Sequence, residues 1–289
     1  MTAWSVETDT LLGAFKVGLR MSRVLYHESS EHQDIVLFEN PLFGRVLALN
    51  GIVQTTERDE FFYHEMLVHV PVHSHGAARR ALVIGGGDGG AIEELFKHAG
   101  IERVTMVEID RSVVDFSKQH LSAICGLAFD DPRLELVIAD GAAWVAEAAQ
   151  AGRRYDLILI DSTDPVDAGP AEPLFTEAFY RDCAALLADE GLLVTQNSVP
   201  FAEPESLAGP LTRLKGAFGA VACYRVAVPS FYGGDMVFAM AAKRAESLTT
   251  PLAELEARYA ASGLETRYYT PAIHQGAFAL PPFLSSLIA

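Results

Sequence analysis

The hydrophobic positions of the first 57 residues follow the pattern of short β-strands. Apolar stretches at residues 35–38 and 45–49 are interrupted by Asn-Pro at 40–41 and by Asn-Gly at 50–51. Short apolar runs bounded by turn residues are typical of strands, and Asn-Gly is a strong hairpin signal. Residues 1–57 are therefore predicted to form a small, all-β N-terminal domain.

From residue 58 the hydrophobic period changes from two residues to about 3.6, which indicates helices. A helix is predicted from Asp59 to His69, and Pro71 and Gly76 then lead into a regular alternation of strands and helices. Such alternation predicts a doubly wound, mostly parallel sheet over residues 58–289, and the turn at 232–234 predicts an antiparallel hairpin at one edge. The predicted strands cover residues 81–84, 104–109, 134–138, 155–160, 191–196, 222–228 and 236–240.

Charge and hydropathy narrow the class of partner. The 289 residues carry 22 Lys and Arg against 38 Asp and Glu, for a net charge of −16. This charge repels nucleic acid and anionic membranes and attracts cationic small molecules. No apolar run approaches the roughly 18 residues of a membrane span, and the first thirty residues lack a signal-peptide pattern. A cytoplasmic protein is expected, with no nucleic-acid or membrane partner.

Acidic residues follow four successive strands of the predicted sheet. Asp88 lies in the loop GGGDGG at residues 85–90, Glu108 follows the second strand, Asp140 the third, and Asp161 opens the segment DSTDP. Aspartate is also common in turns and helix caps. Because ligands of such sheets bind at the carboxyl ends of the strands, four acids placed there favour a binding site.

The glycine loop admits more than one ligand. Gly85, Gly87 and Gly90 satisfy the pattern GxGxxG, and Glu108 follows near the distance of a ribose-binding acid, so a nicotinamide-dependent dehydrogenase is one alternative. Asp88 would repel a pyrophosphate, however, whereas S-adenosylmethionine and its relatives carry a sulfonium and no phosphate. Glu108 can accept hydrogen bonds from ribose hydroxyls and Asp140 from the adenine amino group. This interpretation favours a Rossmann-like fold of the S-adenosylmethionine-dependent methyltransferase type.

The acids also bear on which nucleoside is bound. S-adenosylmethionine ends in a carboxylate that needs donors, whereas its decarboxylated form ends in an ammonium that needs acceptors. Asp88 and Asp161 favour the ammonium. A small-molecule methyltransferase remains an alternative, as does a non-catalytic nucleoside-binding protein.

Several segments resemble the spermidine synthase family of polyamine aminopropyltransferases. The motifs GGGDGG, VEID, ADG and DSTDP carry the resemblance, together with residues 32–40, 50–66 and 267–274. It extends from about Tyr26 to the C-terminal AIHQGAFALP. The resemblance implies a small N-terminal β domain, a homodimer or homotetramer, and transfer of a propylamine group to a diamine from decarboxylated S-adenosylmethionine, which is a co-substrate and not a bound cofactor.

The resemblance also implies roles for individual residues. Asp161 would be the catalytic acid–base residue, with the Tyr63 hydroxyl orienting the reacting amine. The residues expected at the nucleoside are Gln33, Gly85, Gly87, Glu108, Asp140, Gly141 and Pro170, and those expected at the amines are His64, Asp88, Asp164, Gln196 and Tyr232.

Three departures from the family pattern leave the acceptor amine open. Phe231 stands where many members have tyrosine, the loop after Asp164 is longer by about two residues, and Glu93 replaces a common arginine. Putrescine, giving spermidine and methylthioadenosine, is the expected acceptor; cadaverine, agmatine, 1,3-diaminopropane and spermidine are the alternatives. No metal site is expected, because His64 and His69 are five residues apart and point to different faces of a helix.

Overall fold

The computed structural model describes residues 3–6, 17–30, 32–164, 171–232 and 234–288. Pro170, which is predicted to contact the nucleoside, lies outside the described residues, as does most of the lengthened loop after Asp164. Within the described part of the chain, no helix is both long enough and apolar enough to cross a membrane.

The N-terminal strands form antiparallel sheets, as predicted. Two short strands, β1 (Ala3–Val6) and β2 (Gly18–Met21), pair with each other. A four-stranded sheet follows, in the order β3 (Arg23–Ser29), β4 (Asp34–Asn40), β5 (Gly44–Leu49) and β6 (Ile52–Thr56). Asn50 and Gly51 join β5 to β6 with positive φ angles of 52° and 81°, the conformation for which Asn-Gly is selected in hairpins.

The larger sheet has seven strands, and both of its faces are covered by helices. Five consecutive strands are parallel and extend to one edge of the sheet, and the last hairpin is antiparallel at the other edge, which confirms the predicted α/β class. In spatial order the strands are β12 (Ala220–Ala227), β13 (Asp235–Ala242), β11 (Leu187–Gln196), β10 (Tyr155–Asp161), β7 (Arg80–Gly85), β8 (Arg103–Glu108) and β9 (Leu134–Ile138). The strand order reverses direction between β7 and β10, where open α/β sheets form a ligand crevice.

Helices pack on the large sheet through two hydrophobic clusters, one on each face. One face of the small sheet, including Ile35 and Leu47, packs against Val113 and Phe116. This contact brings the two sheets together beside the crevice. The α-helices are α1 (Glu60–His75), α2 (Gly90–Phe96), α3 (Arg111–His120), α4 (Ser122–Cys125), α5 (Gly141–Gln150), α6 (Glu177–Leu186), α7 (Glu205–Ala217), α8 (Leu252–Ser262), α9 (Pro271–Ala277) and α10 (Pro282–Ile288).

The first helix is longer than predicted. Helix α1 continues through Pro71 and ends at Gly76, whose φ of 74° and N–H bond to the Val72 carbonyl form a left-handed cap. Residues 63–74 are all buried, so packing offsets the roughly 3 kcal/mol that a proline costs inside a helix. His73 therefore lies on the helix and not beyond its end. Its ring stacks on Tyr269 and contacts His69 and His98.

With leucine in place of His73, the protein is expected to lose less stability than wild type when the pH falls from 7 to 5. Burial lowers the pKa of His73 from 6.5 to about 4, so the folded protein keeps it neutral where the unfolded chain is protonated. The contribution of neutral His73 to the free energy of unfolding is complete above the pKa that it has in the unfolded chain. It is lost as the pH falls toward the pKa that it has in the folded protein. Urea unfolding should therefore show that the free energy of unfolding of the variant falls by about 2 kcal/mol less than that of wild type between pH 7 and pH 5. Parallel pH dependences in the two proteins would contradict this assignment.

Candidate active site

One cavity lies at the carboxyl ends of β7, β8, β9 and β10, where the acids were predicted to converge. Its other walls come from β5, β6, the start of α1 and the segment between β12 and β13. All the predicted site residues within the described part of the chain line it: Gln33, Tyr63, His64, Gly85, Gly87, Asp88, Glu108, Asp140, Gly141, Asp161, Asp164, Gln196 and Tyr232.

The glycine loop lies directly against the end of β10. Gly86 N–H donates to the Asp161 carbonyl at 2.7 Å, and Gly85 has a φ of 82°. A Cβ atom on Gly85 would lie 2.2 Å from the same carbonyl oxygen. Both the backbone conformation and this close approach require glycine. The loop thereby fixes Asp88 and Asp161 on neighbouring walls of one cavity.

Glu108 and Gln33 lie at the cavity wall nearest β8. Glu108 is buried and accepts a hydrogen bond from Asp110 N–H at 2.9 Å, and burial raises the pKa of Glu108 to about 7. The Gln33 side-chain amide donates to Asp110 at 3.1 Å, and Asp110 also caps α3 through Ser112 N–H. Sequence reasoning missed this connection between the small sheet and the large sheet.

Asp140 has a structural bond in addition to its place in the cavity. Its Oδ1 accepts from Ala143 N–H at 2.8 Å and caps α5, which is the helix-capping role considered for such acids. A Cβ atom on neighbouring Gly141 would lie 2.7 Å from Ile84, so glycine lets the start of α5 approach β7.

Tyr63 and Asp161 form a buried pair at the centre of the cavity. The Tyr63 hydroxyl donates to Asp161 Oδ1 at 2.6 Å. Asp161 Oδ2 is buried and has no hydrogen-bond partner among the described residues. Burial and the nearby charge of Asp88 raise the pKa of Asp161 to about 6, against the opposing effects of His64 and Tyr63. The pair therefore presents one unpaired carboxylate oxygen to whatever occupies the cavity.

His64 lies between two carboxylates. Its Nδ1 is 2.8 Å from Glu60 and its Nε2 is 3.4 Å from Asp88. Burial disfavours the imidazolium, but Asp88 and Glu60 outweigh burial and raise the pKa of His64 well above its usual value. Side-chain atoms of His64, Asp88 and Asp161 lie within 4.8 Å of one another, a spacing that a metal could use. An imidazolium held at both nitrogens offers a metal no lone pair, however.

Gln196 holds the segment that carries Asp164. Its amide nitrogen donates to Asp164 Oδ1 and to the Ser162 carbonyl, each at 3.0 Å. Its carbonyl oxygen accepts from Ser198 N–H at 2.8 Å. Burial raises the pKa of Asp164, although Gln196 opposes the shift. The amide thus positions another acid of the cavity.

An aromatic wall faces the Tyr63–Asp161 pair. The rings of Tyr63 and Phe231 are 6.2 Å apart, and Tyr232 lines the same cavity. Buried Asp59, which sequence reasoning did not assign to the site, accepts from Ser230 N–H at 2.6 Å and thereby fixes this wall to the start of α1. The cavity therefore combines apolar rings with several acids, a lining suited to a chain with cationic ends.

The fold and cavity define an α/β protein with an acidic cavity at the carboxyl ends of its parallel strands, and comparison with known proteins identifies its family. Residues 60–250 match the spermine/spermidine synthase domain, and residues 3–57 match the spermidine synthase tetramerisation domain. The chain belongs to the spermine/spermidine synthase family and is an enzyme of the aminopropyltransferase class. The predicted family and enzyme class are confirmed.

Full-length relatives support this identification. The chain is 46% identical over 287 residues to the polyamine aminopropyltransferase of Ruegeria sp. (strain TM1040), covering 99% of each chain. It is 48% identical over 284 residues to that of Serratia proteamaculans (strain 568), covering 98% of this chain and 97% of the relative. A crystal structure of spermidine synthase in complex with the transition state analogue AdoDATO superposes with a TM-score of 0.91 at 34% identity, covering 99% and 94% of the two chains.

Proposed function

We propose that this enzyme transfers the propylamine group of decarboxylated S-adenosylmethionine to putrescine, producing spermidine and methylthioadenosine. The observation that carries the proposal is the buried Tyr63–Asp161 pair, which lies in one cavity with Asp88 and Asp164. Both substrates are cations at neutral pH, and buried carboxylates are the groups that stabilise them.

The nucleoside occupies the end of the cavity formed by β7, β8 and β9. Glu108 accepts from the ribose hydroxyls and Asp140 from the adenine amino group through the oxygen not used in capping. Gln33 and the glycines Gly85, Gly87 and Gly141 complete this end. For Pro170, outside the described residues, a nucleoside contact stays a prediction from the family resemblance. Asp88 holds the terminal ammonium with His64, which leaves the carbon next to sulfur facing Asp161.

Asp161 receives the acceptor amine. An alkylamine has a pKa near 10, so its nitrogen must lose a proton before it attacks. The nitrogen forms a bond to the carbon beside sulfur, the carbon–sulfur bond breaks, and its electron pair neutralises the sulfonium to give methylthioadenosine. Asp161 Oδ2 accepts the amine proton, while Tyr63 holds the other oxygen and fixes the carboxylate for attack. With a pKa of only about 6, Asp161 contributes through positioning more than through basicity.

The second amine of the acceptor binds near Asp164, which Gln196 holds in place, with Tyr232 beside it. The methylene chain lies along Tyr63 and Phe231. The distance between the two acid sites selects the acceptor length, and a four-carbon diamine is the proposed match.

We propose that residues 1–57 form a separate domain through which the enzyme assembles as a homodimer or homotetramer. Residues 3–57 match the tetramerisation domain, which supports this assignment. Light scattering of the full chain would measure the assembly. Cys125, Cys183 and Cys223 are buried and unpaired, which fits the proposed cytoplasmic location.

The proposed reaction is tested by mass spectrometry of the purified enzyme with decarboxylated S-adenosylmethionine and a panel of putrescine, cadaverine, agmatine, 1,3-diaminopropane and spermidine. Methylthioadenosine and spermidine are expected to form fastest with putrescine. Faster turnover of another amine would reassign the acceptor. Release of S-adenosylhomocysteine from intact S-adenosylmethionine, with no aminopropylated product from any amine, would overturn the proposal.

A further inference from the structure

Glu60 and His64 form a buried chain of charges behind the amine site. On α1 they are one turn apart, and Glu60 Oε2 lies 2.8 Å from His64 Nδ1. On the far side of the ring, Nε2 faces Asp88 at 3.4 Å. At the outer end, Arg267 lies 3.7 Å from Glu60 with 58% of its side chain exposed. A continuous row of charged groups thus runs from the cavity to the protein edge.

The orientation of the His64 ring is fixed. A Cβ atom added to Gly90 would lie 2.2 to 2.6 Å from ring atoms of His64, so the ring packs directly on the first residue of α2. Because Glu60 can only accept, the Nδ1 position must carry a proton. Any proton that His64 gains or loses is therefore the one on Nε2, the nitrogen that faces the amine site.

Charged groups from several elements surround this ring. An imidazolium at His64 offsets part of the negative charge of the neighbouring carboxylates. The titratable and charged groups around it are Glu60 and Tyr63 from α1, Asp88 from the glycine loop, Asp161 at the end of β10 and Arg267 before α9. Glu93 from α2 is close enough to Glu60 for their charges to interact.

A cationic ligand changes this balance. An ammonium placed between Asp88 and Asp161 lies next to the Nε2 proton, and two like charges in a buried site repel strongly. Loss of the Nε2 proton removes the repulsion and turns Nε2 into an acceptor for an ammonium hydrogen. The Nδ1 proton stays on the side of Glu60.

We propose that His64 exchanges its Nε2 proton for the ammonium of the bound nucleoside, and that Glu60 is the positioning residue that fixes the tautomer in which this exchange is possible. The proposal rests on the proposed function, because it requires the aminopropyl ammonium to bind beside Asp88. Binding of the charged donor then releases a proton from the enzyme, whereas binding of the uncharged product methylthioadenosine does not.

Titration calorimetry in buffers of different ionisation enthalpy tests the exchange at pH 8, where Asp161 is already ionised because its pKa is about 6. Decarboxylated S-adenosylmethionine without acceptor amine should release close to one proton per site, and methylthioadenosine close to none. Equal release by the two ligands would overturn the proposal. Failure of decarboxylated S-adenosylmethionine to bind, while methylthioadenosine binds, would instead contradict the proposed function.

Two variants locate the proton. His64→Gln keeps a donor and an acceptor but cannot titrate, so its release should fall close to zero; release equal to that of wild type would show that another group supplies the proton. Glu60→Gln removes the charge that favours the imidazolium and should release fewer protons per site than wild type. Glu256→Gln, at an exposed position on α8, should release as many as wild type.

Nuclear magnetic resonance observes the protonation state of the ring directly. In wild type, the ¹⁵N spectrum of labelled His64 should change from that of an imidazolium to that of the neutral Nδ1–H tautomer when decarboxylated S-adenosylmethionine binds. An unchanged imidazolium would also overturn the proposal.

Discussion

Asp161→Asn is expected to lower kcat by about 10²- to 10⁴-fold, the range that a positioned acid–base group contributes. Asparagine has nearly the same shape and can still accept from the Tyr63 hydroxyl, which is 2.6 Å from Asp161 Oδ1. It cannot take the amine proton, and its NH₂ group would face the nitrogen that attacks. Binding of methylthioadenosine should change little, because Glu108 and Asp140 lie at the other end of the cavity.

Single-turnover kinetics with saturating substrates would measure the loss, and calorimetry with methylthioadenosine would measure retained binding. Asp115→Asn is the matched control, since Asp115 is exposed on α3 and the same substitution there should leave kcat unchanged. A kcat of Asp161→Asn within about threefold of wild type, well short of the range expected of an acid–base group, would show that Asp161 does not carry the chemistry.

The parts of the site that lie at strand ends could be predicted from the sequence. In a parallel sheet, all such ends meet at one edge, so finding the strands was sufficient to bring Asp88, Glu108, Asp140 and Asp161 together. The predicted strand centres agree with the structure, and errors are confined to the ends; β11, for example, begins at Leu187 and not at residue 191. Because both faces of the sheet are buried, the positions of its strands can be predicted from the local hydrophobic pattern.

Contacts between side chains distant in sequence could not be predicted. Gln33 is 77 residues from Asp110, and Gln196 is 32 residues from Asp164; nothing local marks either bond. The passage of α1 through Pro71 is a similar case, because burial around the helix outweighs a local signal to end it. The hydrogen bonds that support the site therefore follow only from tertiary packing, whereas the positions of the acids follow from the sheet alone.

Glu65→Ala is expected to destabilise the protein by about 3–5 kcal/mol. Glu65 is only 2% exposed, and its carboxylate accepts from three consecutive backbone N–H groups, those of Arg267, Tyr268 and Tyr269, at 2.6–2.8 Å. Alanine would leave three donors without this partner, one of them buried and two part-buried. Each unsatisfied buried donor costs about 1–3 kcal/mol before water or local relaxation compensates. Urea unfolding would measure the change, with exposed Glu256→Ala on α8 as the control.

Glu65→Gln separates the loss of hydrogen bonds from the loss of shape. The glutamine carbonyl can still accept, but its NH₂ group would face at least one of the backbone donors. Glu65→Gln is therefore expected to lower the free energy of unfolding by more than the control and by less than Glu65→Ala. Because the same segment carries Arg267, which pairs with Glu60, loosening it should also weaken binding of decarboxylated S-adenosylmethionine more than that of methylthioadenosine. Wild-type stability in both Glu65 variants would show that the backbone donors find other partners, and the C-terminal segment would then not depend on α1 for its position.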